Sequence, residues 1–425
     1  MRGLLLPLSS LLSGAGVMVV GVGLLFSVLG LRAGLADFSG LVTGLIMSAY
    51  FVGYIVGTNL CPALIRRIGH IRAFAAMASI ASTMPILHAL WIDPWFWGAL
   101  RLITGVCVVG LYIVIESWLN TLAPSQHRGK VFAIYMSVTF VALALGQWLI
   151  LVGDKLGFVP FALVSVLFSF ALLPITLTPV SQPAAVERPH LGLRNLYKIS
   201  PLGLVGAVGS GMLNGAFYSL GAAYAQGVGF TDVGVATFMA ATILGGAVFQ
   251  WPVGHYSDRH DRRYVMLWIC IASASLALLG FVFSRASEEI LILVGILYGG
   301  FVFTLYGLSV AHVNDLIDSS RLLEVTGGLL LLHGIGAAIG PTIAGVVMDL
   351  FNPESLMLFF VFVLGVLSIF TVLRIRAAPA VPESEKSGYV VMTGIAPAVM
   401  HVDVPDADTQ SSDTPETVKD DKVEE

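Results

Sequence analysis

Charged side chains are scarce in this sequence. They make up 11% of its 425 residues, and apolar side chains make up 57%, whereas soluble domains carry about 25% charged residues. Twelve apolar stretches, each about 20 residues long, contain between them a single Lys, Arg, Asp or Glu, which is Arg101. Lipid offers no partners to backbone polar groups, so stretches of this kind cross a bilayer as helices. The composition excludes a soluble protein and predicts a polytopic membrane protein.

The predicted spans lie, in chain order, near residues 4–30, 40–60, 73–92, 95–115, 131–152, 157–178, 201–229, 233–252, 264–284, 290–311, 325–348 and 355–373. The first could be taken for a signal peptide. Its apolar region of about 27 residues exceeds the 7–15 of a cleaved signal, so we expect an uncleaved first helix.

Sequence motifs for enzymatic chemistry are also missing. The three cysteines (Cys61, Cys107 and Cys270) have no metal-like spacing. The sequence contains no phosphate-binding loop, no His-Glu-x-x-His and no nucleophile elbow. It also shows no ring of charge or filter of the kind found in ion channels. We therefore expect neither an enzyme nor a metal or cofactor site, and no nucleic-acid partner.

Basic residues are unevenly distributed between the loops. Up to residue 376, fifteen Lys or Arg residues lie at the termini and in even-numbered loops, against three in odd-numbered loops (Arg32, Lys155 and Arg285). By the positive-inside rule this asymmetry places both termini in the cytoplasm. We expect a multi-pass protein of a prokaryotic inner membrane.

The loop lengths divide the chain into two halves. Residues 1–178 and 201–376 would each hold six spans, joined by a cytoplasmic linker at 179–200. Residues 377–425 contain 11 acidic and 3 basic residues, which favours a disordered acidic cytoplasmic tail. The more apolar stretch 389–404 offers an alternative, in which part of the tail docks on the body.

A charged turn recurs in the two halves. Gly254–Arg263 reads GHYSDRHDRR, and Pro62–Ile71, 192 residues earlier, reads PALIRRIGHI. A helix glycine aligns at the same offset, Gly53 with Gly245. This repeat indicates two related membrane halves, a common construction among secondary transporters.

The turn resembles a signature of the major facilitator superfamily, Gly-x-x-x-Asp-Arg-x-Gly-Arg-Arg/Lys. The second copy matches at Gly254, Asp258, Arg259, Arg262 and Arg263, with Asp261 in place of the second glycine. The first copy keeps Arg67 and Gly69 but has Pro62 and Arg66 for the glycine and aspartate.

Other strings extend the resemblance over roughly residues 4–376. Arg101-Leu-Ile-Thr-Gly105 is similar to the family's helix-4 arginine motif, and three strings resemble its YcaD-like branch: Gly110–Asn120, Ala311–Asp315 and Gly327–Pro341. The resemblance implies an all-α membrane protein with twelve helices in two pseudo-symmetric six-helix halves. The Gly-Pro motif of many antiporters has no match on helix 5, which reads Gly146-Gln147.

Two ionisable residues, one inside the fourth predicted span and one just beyond its end, are candidates for the transport pathway. A charge in hydrocarbon costs at least a few kcal/mol, so Arg101 should face the bundle interior, either bonding carbonyls of helix 1 or lining the pathway. Glu116 lies fifteen residues later, about 22 Å along the helix, and is either a proton-coupling carboxyl or an anchor for the adjacent loop.

Further pathway candidates are polar residues, most of them on helices 7 and 10, which line the central cavity in this superfamily along with helices 1 and 4. Each could instead serve as an ordinary interhelical hydrogen-bonder. The candidates are Gln147, Asn214, Tyr218, Tyr298, Tyr306, His312, Asn314 and His333. A cavity lined mostly by Tyr, Asn and apolar side chains, with only two ionisable residues, favours a neutral or amphipathic solute.

The charged turns and the helix starts near them predict a cytoplasmic gate. Helix N-termini favour anions, so Asp258 should approach the start of helix 5, and Arg66 should approach Glu324 at the start of helix 11. The predicted gate residues are Arg66, Arg67, Arg128, Asp258, Arg259, Arg262, Arg263 and Glu324.

These features together predict a monomeric secondary transporter of a small organic solute that works by alternating access. Proton-coupled efflux is preferred, because the cavity lacks an evident set of substrate-anchoring charges. The alternatives are proton-coupled uptake and a transporter-like sensor or scaffold that acts through the acidic tail. Its partners would be the solute, protons and the lipid bilayer.

Overall fold

The computed structural model describes residues 2–154, 157–177, 183, 193–285, 287–318, 321–377, 381–382 and 386–392. Within these ranges the chain forms fifteen α-helices and no strand. The helices are α1 (Arg2–Leu35), α2 (Gly40–Ile68), α3 (His70–Leu90), α4 (Pro94–Leu122), α5 (Arg128–Trp148), α6 (Val159–Phe170), α7 (Leu172–Leu177), α8 (Leu193–Ile199), α9 (Pro201–Gly227), α10 (Asp232–Arg259), α11 (Arg262–Val282), α12 (Glu288–Val302), α13 (Leu305–Asn314), α14 (Leu322–Leu350) and α15 (Leu356–Ala377).

The helices correspond in order to the twelve predicted spans. Span 6 consists of α6 and α7, span 10 consists of α12 and α13, and the short helix α8 belongs to the linker. Eleven segments of the described chain are long and apolar enough to cross a membrane. The remaining span is α9, which has 27 residues, among them seven glycines, two serines and two tyrosines. It is largely buried by its neighbours, so it need not be as apolar as a helix that faces lipid.

The same packing pattern occurs in both halves. In the first half α2 packs on α4, α1 on α5, and α3 on α6; in the second half α10 packs on α12, α9 on α14, and α11 on α15. These pairs correspond one to one when each span is shifted by six. The chain therefore folds as two pseudo-symmetric six-helix halves, as the charged-turn repeat predicts.

Glycines bring the equivalent helices equally close in the two halves. A methyl group on Gly53 would lie 2.0 Å from the carbonyl oxygen of Leu102, and one on Gly245 would lie 2.2 Å from that of Ile296. The offset glycine noticed in the sequence thus marks a helix crossing at which only a hydrogen fits.

The two halves meet along α2 and α14, α5 and α10, and α1 and α9. At the end of the bundle opposite the charged turns, the Asp349 carboxylate accepts hydrogen bonds from the backbone N–H groups of Gly40 (2.5 Å) and Leu41 (2.8 Å). A carboxylate from one half therefore caps a helix of the other. This contact holds the halves together at that end.

Part of the tail is packed against the body. Residues 386–392 contact α10, α11 and α13, and Met392 joins the hydrophobic core. Of the stretch 389–404, the described residues are thus the four at 389–392, and these pack on the body. The other tail residues, except 377, 381 and 382, lie outside the described residues, as does most of the linker.

Candidate functional site

Arg101 lies inside the first half, where its charge is enclosed by aromatic rings. The residue is 1% exposed, and its guanidinium carbon lies 4.5 Å from the ring centroids of both Phe26 on α1 and Tyr50 on α2. A desolvated cation over an aromatic face gains about 2 kcal/mol or more. The rings therefore offset part of the cost of burying this charge.

The guanidinium also keeps unused donors. Nε and Nη2 of Arg101 have no hydrogen-bond partner among the described residues, and neither does the hydroxyl of Tyr50. The expectation that Arg101 faces the interior agrees with this placement. Among the described residues Arg101 does not bond to carbonyls of helix 1. Helix α1 instead presents the ring face of Phe26 to it. An unused buried donor costs about 1–3 kcal/mol, which a bound polar group would recover.

Glu116 is buried among tyrosines that come from both halves. It is 4% exposed. The hydroxyl of Tyr135 on α5 donates to its Oε1 at 3.3 Å. Tyr54 on α2 and Tyr306 on α13 lie within electrostatic reach of it. Glu116 is therefore inside the bundle and not at its edge.

On the second half, an interrupted helix faces α9. The break between α12 and α13 falls at Phe303 and Thr304. The Phe303 ring stacks on Tyr218 with centroids 5.5 Å apart, and Tyr218 in turn contacts Phe26 of the first half at 6.2 Å. One turn earlier on α9, Asn214 is 4% exposed and its Oδ1 lacks a partner among the described residues.

Tyr306 and His333 form a further buried pair. Their ring centroids are 4.6 Å apart, and Nδ1 of His333 lies 3.1 Å from the hydroxyl of Ser210 on α9. This contact joins α13, α14 and α9. Together with Arg101, Glu116, Tyr218 and Asn214, this pair defines what we call the central cluster.

The other pathway candidates lie outside the central cluster. Gln147 is satisfied between α1 and α5, since it accepts from Ser27 and donates to the carbonyls of Gly23 (3.2 Å) and Leu143 (3.1 Å). Tyr298 stacks on Phe360 of α15. His312 and Asn314 lie at the end of α13, next to the charged turn.

That turn holds a buried ionic network. Arg262 pairs with Asp315 (2.7 Å) and with Asp258 (3.1 Å), and Arg263 pairs with Asp261 (2.7 Å). Burial opposes the charge of Asp261, but the hydrogen bonds from Arg263 outweigh this effect and hold the pKa of that carboxyl below its usual value.

The remaining gate residues are placed as follows. Arg66, Arg67 and Arg259 are exposed, and Glu324 pairs with Arg321 at 3.8 Å. Arg128 begins α5. Asp258 pairs with Arg262 and accepts from the backbone N–H of Tyr389. The predicted contacts of Asp258 with helix 5 and of Arg66 with Glu324 stay predictions.

Sequence reasoning missed the aromatic residues that surround the two ionisable ones. These are Phe26, Tyr50, Tyr54, Tyr112 and Tyr135, all of them buried. Tyr50 and Tyr54 are four residues apart and so share one face of α2, a signal that the sequence did contain. Phe26 carries no polar group to mark it among the apolar residues of α1.

Twelve spanning helices in two equivalent halves, with buried polar groups where the halves meet, define the fold of a secondary transporter. The family model for the Major Facilitator Superfamily matches residues 8–245 and 203–402. The chain belongs to this superfamily, and it is a non-enzymatic, multi-pass membrane transporter.

Relatives support the YcaD-like branch. The uncharacterized MFS-type transporter YcaD of Escherichia coli is 26% identical over 89% of this chain and 97% of its own length. An uncharacterized MFS-type transporter of Enterobacter sp. (strain 638) is 30% identical over 79% of this chain and 86% of its own length. Among solved structures, the nucleoside transporter NupG superposes with a TM-score of 0.72 at 15% identity, over 86% of this chain and 98% of that one.

Proposed function

We propose that this protein exports a small neutral or amphipathic organic solute across a bacterial inner membrane, by proton-coupled alternating access. The observation that carries the proposal is the position of Glu116. It is a buried carboxyl among tyrosines of both halves, where a change of protonation would be felt by both. Such a group can couple proton movement to a rearrangement of the halves.

The aromatic side chains in and beside the central cluster favour an amphipathic solute. Tyr218, Phe303 and Phe26 present ring faces, and the central cluster contains one cationic side chain, Arg101. Aromatic side chains with a polar tip bind solutes that are apolar on one side and polar on the other. Several fixed charges of one sign, which a multiply charged solute would need, are absent from this part of the described chain.

A thermal-shift screen of the purified protein against metabolites and drugs would identify the solute, because a bound ligand raises apparent stability. Glu116→Gln then tests the coupling in proteoliposomes with an imposed pH gradient. Gradient-driven movement of the solute should fall by about tenfold or more, while solute exchange at equal pH survives. Glu289→Gln, at an exposed position on α12, is the matched control and should behave as wild type.

Gradient-driven transport at the wild-type rate in Glu116→Gln would remove Glu116 from the coupling step. A sensor or scaffold that acts through its tail is a second candidate, favoured by the packing of residues 386–392 on the body. Deleting residues 377–425 separates the two, since a scaffold would lose its function and a transporter would keep transport.

A further inference from the structure

Residues 386–392 lack regular secondary structure but are bound by side chains of the second half. The Lys386 ammonium donates to the carbonyl of His260 at 2.7 Å. The N–H and the hydroxyl of Ser387 both donate to Asp315, at 2.9 and 2.8 Å. The segment thus begins at the charged turn.

The segment then runs into the bundle along α10. The N–H of Tyr389 donates to Asp258 at 3.0 Å, and Nε2 of Gln250 donates to the carbonyl of Met392 at 3.4 Å. From its first residue to its last, the segment's partners thus move from His260, just after α10, back to Gln250 within α10, a distance of about 15 Å along the helix. Met392 ends up 7% exposed.

Two glycines form a slot for the Tyr389 ring. A methyl group on Gly254 would lie 2.3 Å from Cδ1 of Tyr389, and one on Gly307 would lie 2.4 Å from its hydroxyl oxygen. Gly254 belongs to α10 and Gly307 to α13, so the ring fills a space between these two helices. The Tyr389 hydroxyl donates to Gln250, and burial raises the pKa of Tyr389, which keeps that donor protonated.

Side chains of the body satisfy the backbone of the segment. Arg262 donates to the carbonyl of Ser387, and Asp315 accepts from the N–H and the hydroxyl of the same residue. Asp258 accepts from the N–H of Tyr389, and Gln250 donates to the carbonyl of Met392. Irregular backbone is tolerated at membrane depth where protein encloses it and supplies its hydrogen bonds. Four polar side chains and two glycines therefore fit this one segment.

The inner end of the segment lies next to the central cluster. Gln250 donates to the carbonyl of Phe303 at 3.0 Å as well as to that of Met392. The Phe303 ring stacks on Tyr218. Two residues, Gln250 and Phe303, thus connect the segment to Tyr218 of the central cluster.

We propose that residues 386–392 form an autoinhibitory plug, which occupies the route along α10 and α13 between the charged end of the bundle and the central cluster. Its consequence for transport rests on the proposed function. The plug also engages Asp258 and Arg262, so these two residues can serve a gate between the halves only after it leaves.

Cysteine labelling in the full-length protein tests the plug. Met392→Cys reports docking, and Tyr218→Cys reports access to the central cluster; each is exposed to a membrane-impermeant maleimide from the side that carries the C terminus. The native cysteines are buried and give the background rate. Two release variants should undock the segment. Gly307→Ala places a methyl group where the Tyr389 ring lies, and Tyr389→Ala removes the ring.

Both release variants should speed labelling of Met392→Cys and of Tyr218→Cys by about tenfold or more, because labelling follows the fraction of molecules in the open state. Gly327→Ala is the matched control, since a methyl group there would meet nothing within 4 Å, and it should change neither rate.

Rapid labelling of Met392→Cys in the parent protein would show that the segment is not docked, which overturns the proposal. Release that speeds labelling of Met392→Cys but not of Tyr218→Cys also overturns it, because the segment would then dock without blocking a route. If the labelling is as expected but the protein carries no solute, the plug is supported and the proposed transport is contradicted.

Discussion

The two charged turns occupy equivalent places but differ in what they do with their charges. In the turn after α2, Arg66 and Arg67 are exposed, and His70 packs on Trp118 with ring centroids 5.8 Å apart. In the turn after α10, the position equivalent to His70 is Arg262, which is 2% exposed and pairs with Asp315.

This difference shows which features the shared arrangement of helices requires and which features occur in the second half alone. The helix crossings at Gly53 and Gly245 are the same in both halves, so the frame does not depend on the charges. Only the second turn buries an ionic network in the described chain, and only there is a segment of the tail bound. The comparison predicts unequal effects of substitutions in the two turns.

The largest difference should appear at the arginines. Arg262→Ala leaves Asp315 and Asp258 without their cation, and breaking a buried pair from one side costs about 3–5 kcal/mol. Arg67→Ala removes an exposed charge and should change stability by about 0.5 kcal/mol or less. Thermal unfolding of the detergent-purified proteins measures both. Equal shifts in the two variants would mean that the second network adds no stability.

A smaller effect is expected at Gly69. This residue has φ 86° and ψ 162°, a region that is essentially restricted to glycine, so Gly69→Ala should cost about 1–3 kcal/mol. Its equivalent, Asp261, has φ −58° and needs no glycine. Gly129→Ala, in a helix with open space around it, serves as the control in the same unfolding assay. Unchanged stability of Gly69→Ala would show that the first turn can adopt the backbone of the second.

The smallest effect should be a pH dependence that is confined to the second turn. Because the pKa of Asp261 is lowered in the folded protein, its ion pair stabilises the fold above its ordinary pKa of about 3.9. That contribution is lost as the pH falls through the lower folded-state value. The unfolding temperatures of wild type and Asp261→Asn should therefore differ at neutral pH and converge on acidification. A gap that stays constant with pH would rule out a role for the Asp261 charge.

The sequence predicted the fold in detail because membrane spans have a strong local signal. Twelve apolar stretches and one recurring turn were enough to place the helices and the two halves. The site was predicted less completely. Arg101 was expected to face the interior because of its cost in lipid. Its contact with the Phe26 ring was not predicted, because nothing distinguishes Phe26 from the other apolar residues of α1. Glu116 was singled out as a pathway candidate, but the tyrosines of α2, α5 and α13 that interact with it were not predicted.

Composition and periodicity by themselves determined the spans, the halves and the residues that are costly to bury, because the bilayer imposes these constraints on each segment separately. The partners of those residues were decided by tertiary structure. Arg262 pairs with Asp258 within its own turn, but it also reaches Asp315, just after α13, and the backbone of the tail. Residues 386–392 belong to a tail for which the sequence favoured disorder, with docking of the stretch 389–404 as the alternative. Their position in the bundle depends on glycines and acids more than 70 residues away in sequence, and such long-range fits arise only when the helices have packed.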